Sequence, residues 1–272
     1  MKNNLKVSIV TPSLNQGEYI EKTIQSVLAQ SYRNYEYIII DGGSKDNTLD
    51  IIRKYERVLE YWVSEKDLGQ SDAINKGWRR AQGHILAYLN SDDTLDPNAI
   101  QKVVEMFIQY PQMGIIYGDC NVINENDVYL GNLKGKQLSH RDLLIKGQKG
   151  IWQPAAFFNA ETVQKIGYLN IRWIYCMDYD LILKIAKISP IKYIPFTLAN
   201  HRMYSTTKSL SQAENHWLEK IEVKKQYLNK IPISVYLKYY LFKAFNLLPE
   251  WLIRWVRKIR KQPFDRAVIN ST

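Results

Sequence analysis

The chain has 272 residues, 46% of them hydrophobic, and a formal net charge of +10. That is enough apolar material for one large α/β domain with a tail, or two smaller domains, and it excludes global disorder. Two distant cysteines, Cys120 and Cys176, exclude a disulfide framework or a metal knuckle and fit a reducing cytoplasm.

The basic start of the chain is followed by the apolar run Val7–Val10, which stops at Thr11-Pro12 and is too short for the core of a signal peptide. Val7 to Thr11 reads as a buried strand, and Ile20, Ile24, Val27 and Leu28 recur with helical spacing. Tyr35 to Ile40 is a second strand that ends at Asp41 and the turn Gly42-Gly43-Ser44. Asn47-Thr48 is expected to cap a short helix through Ile51, Ile52 and Tyr55. Leu59 to Val63 reads as a third strand. Ala73, Ile74, Gly77, Trp78 and Ala81 suit a helix closed by Gly83. Ile85 to Leu89 is a fourth strand, running into Asn90-Ser91-Asp92-Asp93, and Asp96-Pro97 is expected to start the next helix. Strands alternating with helices predict a doubly wound, mostly parallel α/β sheet, in which ligands bind beyond the carboxyl ends of the strands. Thr11, Asp41 and residues 90–93 all fall on that rim.

The second half is less regular. Gly114 to Tyr117 and Ala155 to Phe158 look like strands, and Asp178 to Ala186 like a helix. No run reaches the ~18 apolar residues of a membrane-spanning helix, so the chain is expected to be soluble or membrane-attached.

Adjacent carboxylates at a strand end repel unless a cation or solvent neutralises them, and Mg²⁺ or Mn²⁺ binds through one or two carboxylates plus substrate phosphates. Asp92-Asp93 is therefore either such a site or a polar turn. Asp41 is either a hydrogen-bond acceptor for a nucleotide or an ordinary turn aspartate. Asp178 and Asp180 open a predicted helix, where a carboxylate is favoured by the dipole and serves as a cap or as a general base. No dinucleotide fingerprint, phosphate loop, nucleophile elbow or zinc spacing is present.

An ordered set of segments nevertheless resembles the family 2 glycosyltransferases of the inverting GT-A fold. It runs through Val7-Ser8-Ile9-Val10-Thr11-Pro12-Ser13-Leu14-Asn15, Ser26 to Ser31, Ile38 to Asp46, Ser64 to Gly77 and Leu89 to Asp93, and returns at Trp152 to Ala155 and Met177 to Leu181. The resemblance implies that Thr11, Pro12, Asn15 and Asp41 line a nucleotide pocket, and that Asp67, Asp72, Asn75, Lys76, Ser91 and Asp92 lie along the donor. It implies a metal, Mn²⁺ or Mg²⁺, at Asp92 with Asp93 in support, acting as a Lewis acid for the departing nucleoside diphosphate. Asp178 matches the base that deprotonates the acceptor, and Trp152, Gln153 and Pro154 match the acceptor pocket. The implied donor is a nucleoside-diphosphate sugar, with UDP the first expectation, and the implied acceptor a glycan or polyprenyl-linked chain.

Three departures stand out. The turn is Asp41-Gly42-Gly43-Ser44 where the family often has Asp-Asp-Gly-Ser, Asn90 replaces the first metal-motif aspartate, and Tyr204 occupies a position usually held by histidine, with His201 three residues earlier. His201 and Tyr204 are expected to have packing or polar roles.

From Ala213 onward, twelve Lys/Arg face five Asp/Glu, interleaved with aromatics. The rest of the chain is close to neutral, which argues against nucleic acid. Trp251, Leu252, Trp255, Val256 and Ile259 beside Arg254, Arg257 and Lys258 read as a basic amphipathic helix that lies on an anionic membrane or packs on the catalytic domain. The expected organisation is a catalytic domain over 1–212, with a nucleotide-sugar half (1–120) and an acceptor half (121–212), then an amphipathic tail over 213–272. The whole would be cytoplasmic and peripheral on the inner face of the membrane, building cell-envelope polysaccharide. A sugar nucleotidyltransferase would want a Gly-rich, Arg-containing loop after the first strand, where Thr11-Pro12-Ser13-Leu14-Asn15 stands instead. A non-catalytic nucleotide-sugar-binding membrane protein would bind nucleotide without turnover.

Overall fold

The computed structural model describes residues 4–204 and 213–249; the Trp251–Ile259 stripe lies outside the described residues. Four parallel strands form the first half of the sheet: β1 (Val7–Ser13), β2 (Tyr35–Asp41), β3 (Tyr61–Ser64) and β4 (Ile85–Tyr88). They lie in the order β3-β2-β1-β4, with Val7 opposite both Tyr35 and Ile85. Because a strand turns alternate side chains to opposite faces, Ile9, Tyr37 and Ile39 enter one core while Val10, Ile38 and Ile40 enter the other. Burial on both faces is why these strands read as continuous apolar runs.

The helices fall into two layers accordingly. On the first face lie α1 (Ile20–Leu28), α2 (Thr48–Lys54) and α4 (Ala99–Gln109). On the second lie α3 (Gln70–Arg80), α5 (His140–Lys146), α6 (Ala160–Ile166) and α7 (Met177–Ile188). The sheet continues from β4 through β8 (Ala156–Asn159), β6 (Ile115–Ile123), β9 (Ile191–Arg202) and the two-residue β5 (Thr94–Leu95), with β7 (Tyr129–Leu133) paired to β6. Here β6–β9 is parallel, whereas β4–β8, β6–β8, β6–β7 and β5–β9 are antiparallel. Helices α8 (Ala213–Lys225) and α9 (Ile233–Asn246) follow, with Pro232 as the N-cap of α9.

Several local expectations are corrected. Asp96-Pro97 does not cap α4, which begins at Ala99; Gln30 caps it from the end of α1, its side-chain oxygen accepting from Ile100 N at 3.1 Å and its amide donating to Asp96 O at 2.7 Å. The Asn47 side chain makes no cap; Asp46 accepts the Thr48 N–H at 3.1 Å instead. Gly83 does not close α3, which ends at Arg80, and its N–H donates to Ser8 Oγ at 2.8 Å. The third strand starts at Tyr61, because Glu56–Val58 forms a turn of 3₁₀ helix.

Candidate active site

The carboxyl ends of β1 and β4 open onto a cleft of about 1240 Å³, also lined by residues of the 148–154 segment and the start of α7. Pro12, Asp67, Ser91 and Asp92 line it, together with Trp152, Gln153, Pro154 and Asp178. With Asn90, His201 and Tyr204, eleven of the residues singled out in the sequence meet in one space.

The acidic loop is held by the end of β9. Asp93 is fully buried; its Oδ1 accepts from Arg202 N at 2.8 Å and lies 2.9 Å from His201 Nδ1. Arg202, also fully buried, donates Nε to Asp92 O at 2.8 Å and Nη1 to Asn124 O at 2.8 Å, and pairs through Nη2 with Asp127 at 2.6 Å. Asp92 is only half-buried and lines the cleft, with Tyr204 Oη donating to its Oδ2 at 3.0 Å. Burial first, then the neighbouring Asp93 carboxylate, pushes the Asp92 carboxyl up to about 6. At His201 burial opposes the imidazolium, but the charge and hydrogen bond of Asp93 outweigh it and its pKa is raised. The two carboxylates therefore divide: Asp92 faces the cleft, and Asp93, which does not line it, anchors the loop. Tyr204 and His201 have the polar roles expected of them, one on each carboxylate.

Asn90, in place of an aspartate, accepts from Gln70 Nε2 at 2.7 Å and donates to Gln153 Oε1 at 3.2 Å. Gln153 in turn donates to Tyr88 O at 2.7 Å, so this amide chain ties the acidic loop to the opposite wall. A carboxylate at 90 would have placed a third negative charge beside Asp92 and Asp93.

The remaining donor-side residues are engaged in building the rim. Asp41, fully buried, accepts from Gly43 N at 3.0 Å, Ser44 N at 2.9 Å and the hydroxyls of Ser44 and Ser64. That is the turn-aspartate role. Gly42 in the departed turn motif lets Asp67 close on it: a Cβ there would sit 2.7 Å from Asp67 Oδ2. Thr11 Oγ1 lies 2.9 Å from Tyr37 Oη, and Asn15, at φ 53°, accepts from Lys45 N at 2.8 Å. Asn75 exchanges both amide bonds with the backbone of Leu169, at 2.8 and 3.0 Å, and Lys76 pairs with Glu65 at 2.8 Å and Asp72 at 3.5 Å. None of Thr11, Asn15, Asp41, Asp72, Asn75, Lys76 and Asp93 lines the cleft.

Asp178 sits in the first turn of α7 and lines the cleft, and Gln148 Nε2 donates to its Oδ2 at 2.6 Å. Asp180 is buried, paired with Lys184 at 2.7 Å and accepting from Tyr227 Oη at 2.9 Å. Of the two candidate bases, only Asp178 reaches the cleft. Sequence reasoning missed Gln148, Gln153's bridging role, and His216 and Lys220 of α8, which also line the cleft. A helical spacing of four between His216 and Lys220 was the only available signal. Among the described residues, no helix is long and apolar enough to cross a membrane.

A putative teichuronic acid biosynthesis glycosyltransferase, TuaG of Bacillus subtilis, is 40% identical over 106 residues, 38% of this chain and 42% of that one. An uncharacterized glycosyltransferase of Nostoc sp. is 26% identical over 248 residues, 85% of this chain and 77% of its own length. Among solved structures, S. aureus TarS in complex with UDP-GlcNAc superposes with a TM-score of 0.64 at 17% identity, covering 81% of this chain and 65% of that one. The mannosyltransferase PcManGT from Pyrobaculum calidifontis, in complex with GDP-Man and Mn²⁺, gives 0.63 at 16% identity, covering 98% and 74%. At such identities the structures establish the fold, the mixed α/β architecture of GT-A glycosyltransferases. The sequence profile of Glycosyl transferase family 2 matches residues 8–167, from the first strand to the end of α6, and the chain belongs to that family of glycosyltransferases.

Proposed function

We propose that the enzyme transfers a sugar from a nucleoside-diphosphate sugar, UDP in the first instance, to a hydroxyl of a glycan or polyprenyl-linked acceptor, inverting the anomeric carbon. The observation that carries this reading is the placement of Asp92 and Asp178 in the lining of one cleft. TarS was solved with UDP-GlcNAc and PcManGT with GDP-Man and Mn²⁺, and TuaG is named for teichuronic acid synthesis, which supports a nucleotide-sugar donor and an envelope polysaccharide product. The exposed residues Ile233, Leu237, Tyr240 and Leu241 recur along one side of α9, which supports attachment at the cytoplasmic face of a membrane.

The donor set fits a cation that arrives with the diphosphate. Among the described residues no three His, Cys, Asp or Glu side chains are grouped to hold a metal, and Asp92 is the member of the acidic pair that lines the cleft. Mg²⁺ and Mn²⁺ are commonly held in this way, by one carboxylate plus substrate phosphates. When bound, such an ion supplies Lewis-acid neutralisation of the departing diphosphate. The chain's own residues do the rest. Tyr204 holds one oxygen of Asp92, and Arg202 fixes the loop backbone beneath it. Gln148 holds Asp178 Oδ2, leaving this carboxylate to take the acceptor hydroxyl proton as the oxygen bonds to the anomeric carbon and the bond to the diphosphate breaks.

The test is a screen of UDP-GlcNAc, GDP-mannose and dTDP-rhamnose, with Mn²⁺ or Mg²⁺, for thermal stabilisation and release of nucleoside diphosphate. Metal-dependent release that disappears in Asp178→Asn supports the reading. Binding without turnover would point to a non-catalytic binding protein, and no response to any nucleotide sugar would overturn the proposal altogether.

A further inference from the structure

Helix α8 follows the stretch matched to the family, yet it makes its polar contacts at the two points between which Asp178 is held. Glu219 accepts three consecutive backbone N–H groups: Ile174 at 2.8 Å, Tyr175 at 2.5 Å and Cys176 at 2.6 Å. Cys176 is the N-cap of α7 and makes no side-chain cap of its own. The first N–H groups of a helix have no intrahelical partner, and a carboxylate there is favoured by the dipole. Glu219 therefore satisfies, from more than forty residues away, the open N–H of the α7 N-cap and pins the two residues that lead into it, just ahead of Asp178.

On the other side, the Lys224 ammonium is buried and donates to Leu144 O and to Ile145 O, the latter at 3.2 Å. These carbonyls belong to the last turn of α5, where a cation satisfies groups the helix leaves open. Gly147 ends α5 at φ 83°, and the next residue, Gln148, donates to Asp178. A buried lysine is costly unless its donors are used, so this contact fixes where α5 ends and hence where Gln148 starts. The spacing of His216, Lys220, Lys224 and Tyr227 puts all four on one face of α8 and the turn after it. Two of them, His216 and Lys220, line the cleft, and Tyr227 binds Asp180.

We infer that α8 is part of the catalytic apparatus, with Glu219 and Lys224 acting as positioning residues that set the Asp178 carboxylate from its two sides. The inference rests on the reading of Asp178 as the base. Misplacing a base by about 1 Å is enough for a large loss of rate, and since neither Glu219 nor Lys224 lines the cleft, nucleotide binding is left alone.

The experiment compares the full chain with Asp178→Asn, Glu219→Gln, Glu219→Ala, Lys224→Met and the double variant Glu219→Ala/Asp178→Asn. Release of nucleoside diphosphate is measured from UDP-GlcNAc, GDP-mannose and dTDP-rhamnose with Mn²⁺, and binding of UDP, GDP and dTDP by calorimetry. The expected result is a fall in kcat of about tenfold or more in Glu219→Ala and Lys224→Met, nucleotide affinity within about twofold of wild type, and no further loss in the double variant over Asp178→Asn. If wild type turns over none of the three donors, or Asp178→Asn turns over normally, the parent reading fails and this inference with it. If Asp178→Asn is inactive while the Glu219 and Lys224 variants stay within about twofold of wild type, the inference alone is overturned. Loss of nucleotide binding in proportion to turnover, or additive losses in the double variant, also overturns it. Should Glu219→Ala fail to fold, Glu219→Gln, which keeps the shape and loses the charge, and Lys224→Met decide the matter by the same criteria.

Discussion

Asp92 and Asp93 are neighbours in sequence with opposite duties, and substitutions separate them. Asp92→Asn should leave the melting temperature of the nucleotide-free protein nearly unchanged but abolish the Mn²⁺-dependent stabilisation by nucleotide, read in a thermal-shift titration. Asp93→Asn should lower that melting temperature, because Arg202 N and the His201 ring lose a charged, buried acceptor. Arg202→Met should cost about 1–3 kcal/mol in denaturant unfolding, since three backbone carbonyls lose the donor that now satisfies them, while Asp127 keeps its pairing with Lys22. The division between the carboxylates was not legible in the sequence, where both belong to one motif. It depends on which of them the end of β9, more than a hundred residues later, reaches. Asp41 shows the same limit: spacing put it on the rim, and only the hydroxyls and amides around it show that its oxygens organise a turn.

Elements were legible in proportion to their regularity. Strands β1, β2 and β4, buried on both faces, and helices α1, α3, α4 and α7 carry clear patterns. Strand β9 was missed: it contains Pro195, its buried positions do not alternate, and its pairing with β6 shifts register at residue 119. Helices α5 and α6, at seven residues each, are too short to show a period. Two joints between elements carry predictions. Gly77 of α3 lies against β1 so closely that a Cβ would fall 2.5 Å from Val10 Cγ1. Gly77→Ala should destabilise by about 1–3 kcal/mol despite its better helix propensity, as read by denaturant midpoint. Glu36 of β2 is buried, which works to raise its carboxyl, but Lys6 at 2.5 Å, Ser8 Oγ and Gln82 N outweigh burial and the net pKa is lowered. A depressed carboxyl contributes stability above its unfolded pKa, about 4.3, and loses it as pH falls through the folded value. Glu36→Gln should therefore be less stable than wild type near neutrality, with the gap in melting temperature closing below about pH 4.

At the scale of the molecule, the alternation of strands and helices predicted the doubly wound half correctly, while the second half, with parallel and antiparallel pairs together, came from long-range pairings that no local pattern encodes. The expected boundary at residue 213 falls just before a helix whose Val223 joins the core of the second face and whose Lys224 is buried. A chain ending at residue 212 should melt at least about 5 °C lower than the full chain, since it forfeits that burial and both caps. It should also release no nucleoside diphosphate from a donor that the full chain turns over.

The pairing of Asp93 with Arg202, 109 positions apart, also has a meaning in time. At roughly 5–20 residues per second of synthesis, the acidic loop leaves the ribosome roughly 5–20 seconds before the strand that steadies it exists. During that interval two adjacent carboxylates stand without their counter-charge, at the edge of a half-built sheet. Refolding from denaturant should repeat the sequence of events, with strand signal recovering ahead of nucleotide binding. On the proposed reading, the donor site would be completed only once β9 has been made.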